Sequence, residues 1–192
     1  MTAGRLRLIV GVAALTVLGA VGFFSFRGAG EDEAAPTTVD VTEPEAFDLP
    51  ALEGDGRVRL ADFKGTPLVV NFFASWCGPC EKELPHFADA ASKLKGKVRF
   101  IALNSMETRS DAAVEMARRH GLEEAGITVG RDVGGRANSQ LHDRLALGRG
   151  MPINAFYDAN GTLLDVGRGA LLGNKLANSL HNMYGVTYES SG

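Results

Sequence analysis

Cys77 and Cys80 are the only cysteines in the 192 residues, and they stand two residues apart directly behind a short apolar run. That run, Leu68-Val69-Val70-Asn71-Phe72-Phe73, is short and rich in β-branched and aromatic side chains, which predicts a buried strand. The residues after Pro79 have helix composition, so the pair is expected at a strand-to-helix junction. The first turn of a helix presents unpaired N–H groups and the positive end of the peptide dipoles, and both favour a thiolate over a thiol. Cys77 is therefore the expected nucleophile, exposed at the helix start. Pro79 suits an opening turn, where its missing N–H costs nothing, and Gly78 keeps side-chain bulk away from an attacking sulfur. Cys80, one turn further in, is placed to resolve a mixed disulfide. A structural staple gains little from closing so short a loop. A structural zinc usually takes four ligands, and no second cysteine pair exists to complete such a set.

Trp76-Cys77-Gly78-Pro79-Cys80 behind an apolar strand resembles the thioredoxin active site. Asp62-Phe63-Lys64-Gly65 before that strand, Ala74-Ser75 at its end and Glu83-Leu84-Pro85 after the cysteines narrow the resemblance to membrane-anchored TlpA/ResA/CcmG-like thiol-disulfide oxidoreductases. It covers roughly Glu45 to Tyr184 and is strongest before Leu103. It implies an α/β, thioredoxin-like fold: a central mixed sheet flanked by helices, with an N-terminal β-hairpin and a central helical insertion. Cys77 and Cys80 are then the catalytic pair, with Trp76, Gly78 and Pro79 around them. Pro152 matches the family's cis proline that lies against the active-site disulfide, and Met151 is expected to offer its backbone to an extended substrate chain. One departure bears on mechanism. The buried aspartate of thioredoxins is Asn71 here, while Glu83 matches a buried glutamate of ResA-like proteins and is a candidate third catalytic group. A carboxyl in an apolar setting has a raised pKa and exchanges protons near neutrality; the alternative is a solvated helix glutamate.

The N-terminus reads separately. Met1 to Arg7 is basic, and Leu8 to Phe26 carries no charge, a run of about nineteen residues that is long enough to cross a bilayer. Residues 1–27 are expected to form a membrane anchor or a signal. Arg5 and Arg7 before the run, against Glu31, Asp32 and Glu33 after it, orient the remainder to the extracytoplasmic side. Secretion after cleavage near Gly28-Ala29-Gly30 is the alternative. No cysteine follows the run, which argues against a lipid-modified terminus. Residues 28–45 are rich in Gly, Ala, Pro, Thr and acidic side chains without apolar periodicity, which predicts a flexible linker. Residues 46–192 then form the thioredoxin-like domain, long enough for a core of its own.

Within it, Glu53-Gly54-Asp55-Gly56 predicts a turn between two extended segments, the N-terminal hairpin. Apolar spacing predicts helices over Glu81 to Leu94, Ser110 to His120 with Ser110 as N-cap, Ala137 to Leu147 and Leu171 to Met183, and strands over Lys97 to Leu103 and Ile127 to Val129. Gly121 is expected to stop the second helix. Asn160-Gly161 predicts a hairpin joining Ile153–Tyr157 to Thr162–Val166. The formal charge of −3 and the absence of a basic stripe exclude a nucleic-acid surface. His86 follows Pro85 on the active-site helix, where a surface or packing role is expected over one at the rim of the site, and His120, His142 and His181 fall in helices with no partner cysteine pattern.

The function implied is extracytoplasmic thiol-disulfide exchange on protein substrates. Cys-Gly-Pro-Cys goes with a low potential, which favours a reductant. The resemblance implies a membrane thiol carrier of the DsbD/CcdA type as electron donor and cytochrome c maturation as one pathway. No cofactor or metal is expected. A disulfide-forming oxidase, and a copper-binding or chaperone module on the same fold, remain the alternatives.

Overall fold

The computed structural model describes residues 47–132, 140–146 and 150–191. The expected anchor and linker lie outside these, as do the ends of the helix expected over Ala137 to Leu147. Among the described residues no helix is long and apolar enough to cross a membrane.

Strands β1 (Asp48–Pro50) and β2 (Arg57–Arg59) form the N-terminal antiparallel hairpin, turned at Gly54 with φ +68°. A short 3-10 turn (Leu60–Phe63) leads into β3 (Leu68–Phe73). Helix α1 (Gly78–Lys93), β4 (Arg99–Asn104), α2 (Ser110–Arg119), β5 (Thr128–Arg131), α3 (Gln140–Ala146), β6 (Ile153–Tyr157), β7 (Leu163–Arg168) and α4 (Asn174–Tyr184) follow in order. The main sheet has strand order β5-β4-β3-β6-β7. β3 and β5 run parallel to β4, and β6 and β7 are antiparallel to their neighbours.

β3 is the middle strand, and all six of its residues are buried. Alternating side chains leave its two faces. Val69 and Phe73 enter a core built from α1, α2 and α4, with Leu84, Phe87, Met116, Leu176 and Leu180. Leu68, Val70 and Phe72 enter a second core under the N-terminal hairpin and α3, with Leu49, Val58, Leu141 and Leu145. Transfer from water of a fully buried side chain such as Phe72 contributes about 1.5–3 kcal/mol. The same parity puts Asn71 on the α1 face of β3, and in β6 it puts Asn154 there beside Phe156. The two asparagines are register partners.

Helix α2 departs from expectation at its start. The N-cap is Arg109, with no side-chain cap, and Ser110 is already helical. Glu107 Oε1 accepts the N–H groups of Thr108 at 2.8 Å and Arg109 at 3.0 Å, so a carboxylate just upstream takes up the backbone donors leading into the helix. Its end is as expected. Gly121 has φ +59°, its N–H donates to the Arg118 carbonyl, and the Leu122 N–H donates to that of Ala117, which is the paired closure of a Schellman motif. The β6–β7 hairpin turns at Asn160-Gly161, where Gly161 has φ +89° and Asp158 Oδ1 accepts the N–H groups of Asn160 and Thr162.

Candidate active site

Ala74-Ser75-Trp76 leaves the carboxyl end of β3, and Cys77 is the N-cap of α1, with Pro79 in its first turn. Cys77 and Cys80 are joined by a disulfide, their Cα atoms 5.2 Å apart. Cys77 Sγ accepts the Cys80 N–H at 3.1 Å, so one of the helix's unpaired donors already points at the sulfur expected to carry charge. The oxidised pair is less open than the sequence suggests: Cys77 is 3% exposed and Cys80 0%. What separates the two is the N-cap position and the hydrogen bond more than accessibility. Trp76, Gly78 and Pro79 are exposed beside them, and a side chain added at Gly78 would meet only open space. The Met151–Pro152 peptide bond is cis. Ile153 pairs with Phe72, so antiparallel register sets Pro152 beside the end of β3 from which the cysteine loop departs.

Glu83 lies three residues after Cys80 on the inner side of α1 and is fully buried. It is not the solvated glutamate of the alternative expectation. Its Oε2 accepts from Asn71 Nδ2 at 2.7 Å. Its Oε1 accepts from Asn154 Nδ2 at 2.8 Å and from the Leu171 N–H at 2.6 Å. Burial penalises the charged form, the three donors favour it, and burial prevails, raising the carboxyl to about 7. Asn71 Nδ2 also donates to Asn154 Oδ1 at 2.8 Å. Asn71 Oδ1 is buried with no hydrogen-bond partner among the described residues.

Several residues at the site were not anticipated. Asn154 had a signal: a lone amide in the apolar run Ile153–Tyr157, like Asn71 in its own run, needs a buried partner. Glu107 had none, because its partners come from elsewhere in the chain. It accepts the Ser75 N–H at 2.8 Å, Ser75 Oγ at 3.0 Å and Asn104 Nδ2 at 3.2 Å. Burial works to raise its pKa, but these donors with those of Thr108 and Arg109 hold it below its ordinary value. Beside it Met106 adopts φ +54°, unusual for a non-glycine residue, and its carbonyl accepts Trp76 Nε1–H at 3.0 Å. A groove of about 290 Å³ runs from Ser75 and Trp76 past Thr108 and Arg109 to Met116. Of the histidines, His86 and His120 are half-buried, His181 is exposed and His142 is buried.

The sequence profile of the AhpC/TSA family matches residues 42–164, a span containing the cysteine pair, Glu83 and Pro152. The chain belongs to the AhpC/TSA family. Within it, the chain is 40% identical over 111 residues to the thiol-disulfide oxidoreductase ResA of Bacillus cereus, covering 57% of this chain and 61% of that protein. It is 32% identical over 159 residues to the thiol:disulfide interchange protein DsbE of Pseudomonas fluorescens, covering 82% of each. The chain thus spans less than two thirds of the ResA relative and most of the DsbE relative. The fold recurs in a secreted Mycobacterium tuberculosis disulfide oxidoreductase homologous to E. coli DsbE, with a TM-score of 0.56 at 20% identity over 71% of this chain and 95% of that one.

Proposed function

We propose that this AhpC/TSA-family chain is a thiol-disulfide oxidoreductase that reduces protein disulfides on the extracytoplasmic side of the membrane. The observation that carries the reading is the Cys77–Cys80 pair at the start of α1, with Cys80 N–H donating to Cys77 Sγ, on the same helix as a buried carboxyl raised to about 7 three residues further on.

In the dithiol form, Cys77 as thiolate attacks one sulfur of a substrate disulfide. A mixed disulfide forms, and the other substrate sulfur leaves as a thiolate that takes a proton. Cys80, deprotonated in turn, attacks Cys77 Sγ. The mixed disulfide breaks, the second substrate sulfur leaves and is protonated, and the Cys77–Cys80 disulfide remains. Two electrons and two protons have passed to the substrate. Glu83 exchanges the protons: near neutrality it is poised between its two forms, so it accepts one from Cys80 and releases one with little cost. Trp76, Gly78 and Pro79 form the surface a substrate meets, and Met151 with Pro152 receives its backbone as a short β-bridge.

The Gly78-Pro79 dipeptide supports the reducing direction, since thioredoxin, which carries the same Cys-Gly-Pro-Cys, has a low potential of about −270 mV. Return to the dithiol requires a donor, for which a membrane thiol carrier of the DsbD/CcdA type fits, with Leu8 to Phe26 holding the domain at the same membrane. Apocytochrome haem-binding cysteines in cytochrome c maturation are one substrate class that the TlpA/ResA/CcmG-like resemblance implies. The test is reduction of insulin disulfides by the reduced chain. Turnover that is abolished by Cys77→Ser supports the reading; no turnover by the unaltered chain, or equal turnover by the variant, overturns it.

A further inference from the structure

One buried titratable side chain has no part in that mechanism yet touches the backbone that precedes Met151. His142, on α3, is 0% exposed. Its backbone is fixed by Asp132: Oδ1 accepts the Leu141 N–H at 3.0 Å, and Oδ2 accepts the His142 N–H at 2.8 Å and Ser105 Oγ–H at 2.8 Å. Its ring packs edge-on against Phe72, with centroids 5.7 Å apart. Nδ1 lies 3.4 Å from Asp143 Oδ1, and Nε2 lies 3.3 Å from the Gly150 carbonyl oxygen. Gly150 has φ +22°, a conformation that side-chain-bearing residues rarely adopt.

We infer that His142 is a positioning residue that aims the backbone N–H of Met151 at an incoming substrate chain. The Gly150 carbonyl and the Met151 N–H belong to one planar trans peptide unit and point in opposite directions. When Nε2–H donates to that carbonyl, the oxygen is drawn toward the buried ring and the N–H is turned away from it. The Met151 N–H has no partner among the described residues, as a donor reserved for a substrate carbonyl should have none. The ring's contact with Phe72 ties this orientation to the strand that delivers the cysteine loop. The inference rests on the proposed reading of Met151–Pro152 as the substrate-receiving segment.

The test uses the full chain and two disulfides: insulin, which must lay its backbone along Met151, and 5,5′-dithiobis(2-nitrobenzoate), which offers little beyond its sulfurs. His142→Leu fills the space but cannot donate. Its KM for insulin is expected to rise roughly three- to tenfold, the range one net hydrogen bond spans, with kcat and the small-disulfide rate unchanged. His142→Gln, which restores an Nε2 donor, should recover most of the loss. An unchanged insulin KM, or equal slowing with both disulfides, overturns the inference. Long-range 1H–15N spectra of the unaltered chain decide independently: a proton on Nε2 is expected, and its absence overturns the assignment. If the unaltered chain reduces neither disulfide, the proposed function fails and takes this inference with it; if it reduces both and the Leu variant matches it, this inference alone fails.

Discussion

Replacing Glu83 by Gln removes a buried charge without removing its volume, and the consequence can be worked out with its sign. The folded chain holds the Glu83 proton up to about pH 7, whereas the unfolded chain releases it near the ordinary value of 4.5. Between those values the native state binds one proton more than the unfolded state, so stability falls as pH rises. The contribution is fully present below 4.5 and lost through about 7. At about 1.4 kcal/mol per pH unit it amounts to about 3 kcal/mol. Glutamine carries no charge at either end of that window. Its amide can be met by Asn71, which by turning its own amide over presents the Oδ1 that now has no partner. The assay is urea unfolding of the oxidised unaltered and Glu83→Gln proteins at several pH values across the window. Every other titrating group is common to both, so the difference isolates Glu83. The unaltered protein should lose about 3 kcal/mol relative to the variant between the acid and neutral ends. Two curves that run parallel within about 0.5 kcal/mol, the usual agreement of independent sites, would refute the reasoning.

Other outcomes follow from the same geometry. In the reduced protein, iodoacetamide should label Cys77 well before Cys80 at neutral pH, read by peptide mass; faster labelling of Cys80 would reverse their roles. Asn71→Asp sets a second carboxyl where a donor now stands 2.7 Å from Glu83 Oε2. The pair should then keep one proton above neutrality and destabilise the fold further as the second ionises, visible as a steeper fall of unfolding free energy above about pH 7. Glu107→Ala leaves the Ser75 and Asn104 donors without their acceptor. It should cost about 1–3 kcal/mol and change the fluorescence of Trp76, the chain's single tryptophan; an unchanged spectrum and stability would show that the Glu107 contacts do not hold the Ser75-Trp76 segment in place.

The parts of this fold that were legible in the sequence are those fixed by local periodicity. The apolar run Leu68–Phe73 became the middle strand, Gly121 closed α2, and Asn160-Gly161 turned the last hairpin. Glu83 was expected inside only through its match to a buried glutamate of ResA-like proteins, because helical spacing alone left a solvated glutamate open. Its surroundings were only half legible. Strand parity puts Asn71 and Asn154 on one face, but register is a long-range property that no local pattern states, and the Leu171 N–H arrives from a loop much later in the chain. Ser110 looked like a cap because serine before a helical period usually is one. Instead the helix starts one residue earlier, at an N-cap Arg109 without a side-chain cap, while Glu107, tied by Ser75 and Asn104 through contacts that only the folded chain creates, holds the N–H groups of Thr108 and Arg109 just before it.

The disulfide spans a sequence separation of only three residues. In the chain-entropy picture a ring that small contributes about 2 kcal/mol to the folded state, against about 4.7 for a bridge closing a hundred residues. About 2 kcal/mol is a sizeable part of a domain's net stability, so reduction is expected to lower the urea midpoint by about 1 M. Around a closed thermodynamic cycle, whatever oxidation adds to folding stability must equal what folding adds to the bond's resistance to reduction. At 30 mV for about 1.4 kcal/mol, the ring's share amounts to roughly 40 mV. That share is fixed by the ring's size alone, so any further shift of the potential has to come from what favours the thiolate of Cys77, beginning with the Cys80 N–H that meets its sulfur at the helix start.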